Sequence, residues 1–188
     1  GRTYAFDSYG RMLDLWTYKE GSPSSYTNNA SSSTITTGSQ AAFYREEEGG
    51  RDKNWVWAYP KTDYEEYDDD QYWFWLKSKG VPFKAPAGSG SADRKDDSSK
   101  KDEPGEVEYS GLVEAKVIKN NTYLFNSKGV MLQGLFELEG VKRGSGDLKD
   151  GLYLFDKSGY PGSNSGKMVT NRKVKIDVDG EDETYYFS

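Results

Sequence analysis

The side chains with the clearest chemical use are four tryptophans, set in two pairs on either side of an acidic run. Trp55 and Trp57 stand two positions apart, as do Trp73 and Trp75, so each pair shares one face of a strand. Indole rings on one face could stack on the apolar C–H faces of sugars, while neighbouring polar groups bind the hydroxyls. The alternative is that the rings simply fill the core, as large aromatic side chains commonly do. The pattern predicts two strands joined by an acidic connection, with one side in the core and the other an exposed aromatic surface.

The acidic run itself, residues 63–70, offers carboxylates for two kinds of chemistry. Two carboxylates at a suitable separation can hydrolyse a glycosidic bond, and clustered carboxylates can bind calcium. However, no short motif marks an activated pair, and the run lacks the glycine around which calcium loops space their ligands. Charge runs are usually solvated surfaces. The sequence therefore predicts neither catalytic residues nor a metal site.

Composition excludes several classes of protein. There is no cysteine and no histidine among the 188 residues, which removes disulfides, thiolate nucleophiles, serine triads that use His, and zinc sites built from Cys or His. A net charge of −6 makes nucleic acid a poor partner, and no apolar run is long enough to span a bilayer. We expect a non-catalytic protein without a cofactor, a nucleic-acid partner or membrane insertion.

The balance of residue types predicts the fold class. Only 34% of the residues are hydrophobic, yet 15% are aromatic, and there are 21 glycines. Such a chain favours short aromatic strands and glycine turns over a large aliphatic core. The predicted fold is all-β.

A short pattern recurs along the chain and defines the unit of this fold. An aromatic residue stands six positions, and an apolar residue four positions, before each of four glycines. These two positions share one face of a strand, and the glycine can adopt the positive φ of a turn. Each copy therefore predicts a strand that runs into a tight turn. The copies contain, in order, Tyr4, Phe6 and Gly10; Phe74, Leu76 and Gly80; Tyr123, Phe125 and Gly129; and Tyr153, Phe155 and Gly159.

All three methionines, Met12, Met131 and Met168, stand two positions after a glycine. In the fourth copy, a seven-residue insertion at 159–165 precedes the second glycine, Gly166. We expect each methionine to begin the return strand and to pack between neighbouring hairpins. A lone hairpin is marginally stable in water, whereas a stack buries each face against the next. The pattern therefore predicts repeated short β-hairpins stacked in a solenoid-like array, with long irregular insertions.

Composition also divides the chain along its length. Residues 85–105 are nearly devoid of apolar side chains and carry mixed charge, which is typical of a linker. They separate an N-terminal repeat region with a Trp-rich insertion, residues 1–84, from a C-terminal hairpin-repeat region, residues 106–188. The second region contains the clearest hairpin, in which apolar residues alternate over 174–178 before an Asp179-Gly180 turn.

The recurring string aromatic-x-Phe-[Asp/Asn]-Ser-x-Gly-x-Met resembles the cell-wall-binding repeat family. That family includes the choline-binding and glucan-binding modules of Gram-positive surface proteins and the repeats of clostridial toxins. Tyr4–Met12 and Tyr123–Met131 match best, the family's Gly-Trp landmark is half kept as Leu15-Trp16, and Trp73 stands where the family places a Trp before its paired aromatics. The resemblance implies a non-catalytic module in which aromatic rings between successive hairpins hold choline or sugars.

Taken together, these features favour a binding module for cell-wall or extracellular polysaccharide, secreted or held at the bacterial cell surface. Aromatic grooves between hairpins would contact the glycan, while the three methionines, Phe6, Phe125 and Phe155 would form the core. Two alternatives remain open: a structural spacer or adhesin-like surface protein that contacts a protein partner, and the targeting part of a larger secreted enzyme. The rings expected to face the ligand are Trp16, Trp73, Trp75, Tyr4, Tyr123 and Tyr153.

Overall fold

A computed structural model describes ten stretches of the chain, and β-strands are the only regular elements in them. The all-β prediction is confirmed for these residues, none of which belongs to a helix long and apolar enough to cross a membrane. They divide into two compact units, Gly1–Phe83 and Lys84–Ser188. The described residues are 1–13, 15–20, 25–27, 42–44, 50–58, 71–96, 110–144, 146–157, 165–178 and 180–188.

The described part of the first unit is built from short antiparallel ladders. Its strands are β1 (Ala5–Phe6), β2 (Met12–Leu13), β3 (Leu15–Glu20), β4 (Ser25–Thr27), β5 (Ala42–Tyr44), β6 (Asn54–Ala58) and β7 (Tyr72–Leu76). β1 pairs with β2, β3 lies between β4 and β5, and β6 pairs with β7. Each ladder is too short to be stable alone in water, so its stability depends on packing between ladders.

The second unit is dominated by one curled, half-barrel sheet. Its strands are β8 (Ser91–Arg94), β9 (Ser110–Ile118), β10 (Asn121–Asn126), β11 (Met131–Leu132), β12 (Gly134–Glu139), β13 (Lys142–Arg143), β14 (Gly146–Asp147) and β15 (Gly151–Phe155), followed by the separate hairpin of β16 (Arg172–Val178) and β17 (Glu181–Phe187). The order across the sheet is β11-β10-β9-β8-β12-β15, and β13 pairs with β9 and β14. The buried cluster against this sheet contains Ala92, Val113, Ala115, Leu124, Leu132, Phe136, Leu138, Val141, Leu148 and Phe155.

Strand β8 lies inside the stretch whose composition predicts a linker. It runs antiparallel to β9, with Ser91 opposite Leu112, and antiparallel to β12, with Ala92 opposite Leu138. Ala92 is its one buried apolar side chain. Backbone pairing on both sides holds this strand in place, and its own hydrophobicity contributes little.

The recurring pattern forms the same hairpin in the first, third and fourth copies. In each, the phenylalanine pairs with the methionine: Phe6 with Met12, Phe125 with Met131, and Phe155 with Met168. The prediction that the methionine begins the return strand is confirmed for Met12 and Met131, which begin β2 and β11, whereas Met168 forms an isolated bridge and belongs to no strand. The turn glycines take a positive φ of 79° at Gly10, 86° at Gly129 and 72° at Gly166. Gly159 and the rest of the predicted insertion up to residue 164 lie outside the described residues.

An Asp or Asn side chain closes these turns. The Oδ1 atom of Asn126 accepts the backbone N–H groups of Lys128 and Val130, both at 2.9 Å, and Asp7 makes the equivalent two bonds in the first copy. Partial desolvation raises the pKa of Asp7, but hydrogen bonds from the backbone and guanidinium of Arg11 outweigh this and hold the pKa below its usual value. A side-chain oxygen at this position accepts hydrogen bonds from the N–H groups of the turn, which explains why the pattern has Asp or Asn after its phenylalanine in these two copies.

Burial differs between copies of the same hairpin. Phe125, Phe155 and Met131 are buried, as expected, but Phe6 is 50% and Met12 46% exposed. The prediction that Phe6 and Met12 lie in the core is wrong. The sequence pattern determines the hairpin, whereas burial of this face depends on whether another hairpin packs against it.

The C-terminal hairpin is confirmed. β16 and β17 pair from Arg172 opposite Phe187 to Val178 opposite Glu181. Gly180 has a φ of 86°, which a two-residue hairpin turn requires. One face of the hairpin packs into a cluster formed by Leu135, Leu154, Val169, Ile176 and Phe187.

Candidate functional site

The four paired tryptophans lie together on one face of the β6–β7 hairpin. Trp55 is directly opposite Trp75, and Trp57 is directly opposite Trp73. Residues opposite each other on paired strands point to the same side of a sheet, and so do residues two apart along a strand. The register therefore joins both sequence pairs into a single surface, which we call the Trp face: Trp55, Trp57, Trp73 and Trp75.

The indoles of the Trp face pack against each other in edge-to-face and tilted arrangements. The ring centroids of Trp55 and Trp75 are 5.2 Å apart at an interplanar angle of 73°, and those of Trp57 and Trp73 are 5.0 Å apart at 49°. A diagonal contact joins Trp55 to Trp73 at 6.5 Å and 88°. The pairs at 73° and 88° have the preferred edge-to-face geometry, and each ring is held in place by its neighbours while all four stay partly exposed.

The opposite face of the same hairpin is the core of the first unit. Phe74 and Leu76 are 0% and 1% exposed. The ring of Phe74 lies 5.1 Å from that of Trp16, which in turn lies 5.0 Å from Phe43. The face opposite the tryptophans is thus buried at Ala58, Phe74 and Leu76, whereas all four tryptophans on the other face are partly exposed. They are not needed to fill the core beneath β7, since Phe74, Trp16 and Phe43 already do so.

The structure places the six sequence-predicted rings in different surroundings. Trp73 and Trp75 belong to the Trp face. Trp16 and Tyr123 are each 1% exposed, so neither presents a ring surface to a ligand in this structure. Tyr4, on the first repeat hairpin, is 41% exposed.

Tyr153, the remaining predicted ring, is partly buried on β15. Its hydroxyl donates a hydrogen bond of 2.9 Å to the backbone oxygen of Lys149, and its ring packs against the core of the curled sheet. Tyr123 and Tyr153 belong to the second unit and the Trp face to the first. The structure therefore brings Trp73 and Trp75 together with Trp55 and Trp57, and the site gains two residues that the predicted ligand-facing set left out.

The signal for these two additional residues is present in the sequence. Trp55 and Trp57 alternate within β6 just as Trp73 and Trp75 alternate within β7. The sequence does not reveal the register between β6 and β7. That register depends on the length and course of the connection between the two strands, which decide which residues lie opposite each other. With the register known, the four rings form one continuous aromatic surface.

Acidic groups do not form a metal site in the part of the chain that the structure describes. No three carboxylates there are grouped closely enough to hold an ion. The acidic run at 63–70, whose carboxylates could serve calcium binding or glycoside hydrolysis, lies outside the described residues. The chemistry available on the described Trp face is therefore that of apolar ring surfaces with indole N–H donors.

Comparison with protein-family models finds no match for this chain, and comparison with curated protein sequences finds no significant one. A function for the protein therefore rests on the geometry of the Trp face and on the chemistry of the residues that build it.

Proposed function

We propose that this protein is a non-catalytic module that binds cell-wall or extracellular polysaccharide, and that the Trp face is its contact surface. The observation that carries the proposal is the two-sided β6–β7 hairpin. Phe74 and Leu76 are buried beneath it, while the four indoles stay partly exposed on the other side. A contiguous, partly exposed aromatic surface of this kind is a candidate binding site.

Sugar rings suit such a surface for physical reasons. A pyranose has apolar C–H faces that stack on indole, and hydroxyls at its edge that accept hydrogen bonds from the indole N–H groups. Mutual packing at 5.0 to 5.2 Å within the cross-strand pairs holds the indoles in position before a ligand arrives. Little side-chain entropy is then lost on binding, which favours affinity.

The proposal includes a solenoid-like arrangement of hairpins and a location outside the cytoplasm. Contact between the third and fourth repeat hairpins supports the arrangement: the backbone N–H of Met168 donates to the oxygen of Thr122 at 2.8 Å, and Gly166 packs against Met131. A protein that binds such polysaccharides would be secreted or attached to the bacterial cell surface, where the glycan is found. Its partner in this proposal is the glycan, with no role for nucleic acid or membrane insertion.

Removing a ring from the centre of the Trp face tests the proposal. Trp73 contacts both Trp55 and Trp57, so we expect Trp73→Ala to weaken binding to purified Gram-positive cell walls or soluble glucans at least about tenfold. A tenfold loss corresponds to about 1.4 kcal/mol, and truncation of a central aromatic contact commonly costs about 2 kcal/mol, which is about thirtyfold. Co-sedimentation with insoluble walls, and calorimetry with soluble glycans, would measure the change.

Two controls separate loss of a contact from loss of the fold. Tyr186→Ala removes a ring that is 62% exposed in the second unit and should bind as the unsubstituted chain does. In addition, the bound glycan should protect the indoles of the unsubstituted chain from acrylamide quenching, a readout that needs no substitution. Full binding by a folded Trp73→Ala variant would refute the assignment of the Trp face.

A further inference from the structure

A cleft lies at the end of the β6–β7 hairpin where β6 begins and β7 ends. Its walls include Arg51 and Lys53, which come just before β6, and Ser78, which comes just after β7. Its volume is about 340 Å³, which is within the range of small-ligand sites. Lys53 is two residues from Trp55, so their Cα atoms are at most about 7 Å apart. A ligand stacked on Trp55 would therefore extend close to this cleft.

The side chains that line the cleft are mainly cationic. Arg2, Arg51 and Lys53 belong to its walls, and Asp52 is the one acidic residue among the described residues that line it. The Oδ1 atom of Asp52 accepts the backbone N–H of Lys53 at 2.8 Å. In the described part of the chain, neither Arg51 nor Lys53 forms a side-chain ion pair. Two cations of the cleft are therefore available to an anion.

Glycines bring the two arginines of the cleft into close contact with the backbone. A Cβ atom on Gly80, whose φ is 73°, would lie 2.8 Å from Cγ of Arg51, so the aliphatic part of Arg51 packs directly on this turn. A Cβ atom on Gly50 would likewise lie 3.2 Å from Cδ of Arg2. A packed side chain loses less rotamer freedom when its guanidinium binds a ligand. Both arginines are thus partly positioned before a ligand arrives.

The chemistry of these cations favours an oxyanion. A planar guanidinium donates paired N–H groups to the oxygens of a phosphate or carboxylate, and an ammonium group adds a compact positive charge. The net charge of the whole chain is −6, but exposed charges are screened beyond about 8 Å at physiological ionic strength. The cations within the cleft therefore decide which group binds there.

We propose that this cleft is an oxyanion site, and that the polysaccharide bound by the protein is negatively charged. A phosphate or carboxylate group of the polymer occupies the cleft between Arg51 and Lys53, while the adjoining sugar stacks on the Trp face. This inference rests on the proposed function, since it names the class of polysaccharide for the same surface.

Single-stranded nucleic acid also combines phosphates with rings that stack on aromatic side chains. Proteins that bind it use a cationic groove that follows the backbone over several nucleotides. Two available cations, Arg51 and Lys53, in one cleft of an acidic chain match a single anionic group of a polysaccharide better. An oligonucleotide is nevertheless included among the ligands of the test.

Pairs of polysaccharides that differ only in charge test the proposal. Calorimetry at about 50 mM salt, where screening is weak, compares a phosphate-bearing wall polysaccharide with the same polymer after removal of its phosphates. A carboxylate-bearing polysaccharide is compared with its carboxyl-reduced form. We expect the charged member of at least one pair to bind about tenfold more tightly. The preference should decrease as the salt concentration rises, and the pair with the larger preference identifies the anion.

Charge-removing variants locate the effect. Lys53→Gln and Arg51→Gln should each weaken binding of the charged polysaccharide about three- to fivefold and leave binding of the neutral form unchanged. Lys173→Gln is the matched control, because it removes one positive charge from an exposed position in the second unit; it should change neither affinity. Lys53 is exposed, so its variant keeps the test decisive even where Arg51→Gln disturbs the packing on Gly80.

A titration with small anions separates this inference from the proposed function. Inorganic phosphate and acetate are each added alone, and at least one should shift the backbone amide resonances of residues 50–54. The expected dissociation constant is on the order of 10 mM, and the shifts should be lost when Arg51 and Lys53 are both replaced by Gln.

Three results would overturn the inference. One is equal affinity for the charged and neutral members of both pairs, which would leave the proposed function standing. Another is the absence of amide shifts with either small anion. The third is tighter binding of a single-stranded oligonucleotide than of either charged polysaccharide. Absence of binding to every polysaccharide would refute the proposed function, and the small-anion titration would still decide whether the cleft is an oxyanion site.

Discussion

Replacement of Asp96 by Asn is expected to destabilise the second unit by about 3–5 kcal/mol, the usual cost of removing one partner of a buried ion pair. The Asp96 side chain is 2% exposed and lies 2.9 Å from Nε of Arg94, whose side chain is 4% exposed. Asp96 also accepts the backbone N–H of Leu135 at 3.1 Å and pairs with Lys157 at 2.8 Å. Asparagine preserves the shape but leaves the buried guanidinium without its carboxylate.

Urea unfolding followed by far-UV circular dichroism would measure this loss, and hydrogen exchange of the amides in β8 and β12 would locate it. The matched control is Asp93→Asn in the same segment. Asp93 is 55% exposed and pairs with Lys95, whose side chain is 37% exposed. Loss of this ion pair should lower the free energy of unfolding by less than about 1 kcal/mol. Equal unfolding midpoints for the two variants would contradict the role given to Asp96.

Replacement of Gly90 by Ala is expected to cost about 3 kcal/mol, at the upper end of the range for overpacking. A Cβ atom at Gly90 would lie 2.5 Å from the backbone oxygen of Glu139 and closer still to the backbone of Gly140. No rotamer change can relieve this clash, because the neighbours are backbone atoms. The chain at Gly90, just before β8, would have to move away from the end of β12, which would strain the 2.8 Å hydrogen bond that the Gly90 oxygen accepts from the N–H of Val113 on β9.

The control for this substitution is Gly146→Ala. In the part of the chain that the structure describes, no atom lies within 4 Å of a Cβ at Gly146, and its φ is not in the left-handed region. Its stability should stay within about 0.5 kcal/mol of the unsubstituted chain. Thermal unfolding of both variants would check the difference, and a Gly90→Ala midpoint as high as that of Gly146→Ala would show that the two strands do not approach as described.

The local part of the fold is predictable from the sequence because it depends on residues close together in the chain. Alternation predicts that Trp55 and Trp57 share a face, and the spacing of phenylalanine, glycine and methionine predicts the pairing of Phe125 with Met131. Each of these features is fixed by the two-residue period of a strand and by the geometry of a tight turn.

The remaining features depend on residues far apart in the chain. Trp16 is buried because Phe43 and Phe74, from distant segments, pack against its ring, and nothing in its neighbouring sequence reveals that. Phe6 and Phe125 occupy the same position of one pattern, yet only Phe125 is covered. Strand β8 forms because β9 and β12 pair with it on both sides. Sequence periodicity predicts which face of a strand a residue occupies, but it does not predict which other residues pack against that face.

The most direct test of the proposed function is the intrinsic fluorescence of the unsubstituted protein during titration with defined glycans. All five tryptophans lie in the first unit, and four of them form the partly exposed Trp face, so the signal reports on the proposed site. Peptidoglycan fragments, teichoic acids, α-glucans and choline would be compared. We expect a saturable change in emission, with reduced acrylamide quenching, for one class of polysaccharide. Unchanged emission and quenching with every ligand would contradict it and favour a surface protein that contacts a protein partner.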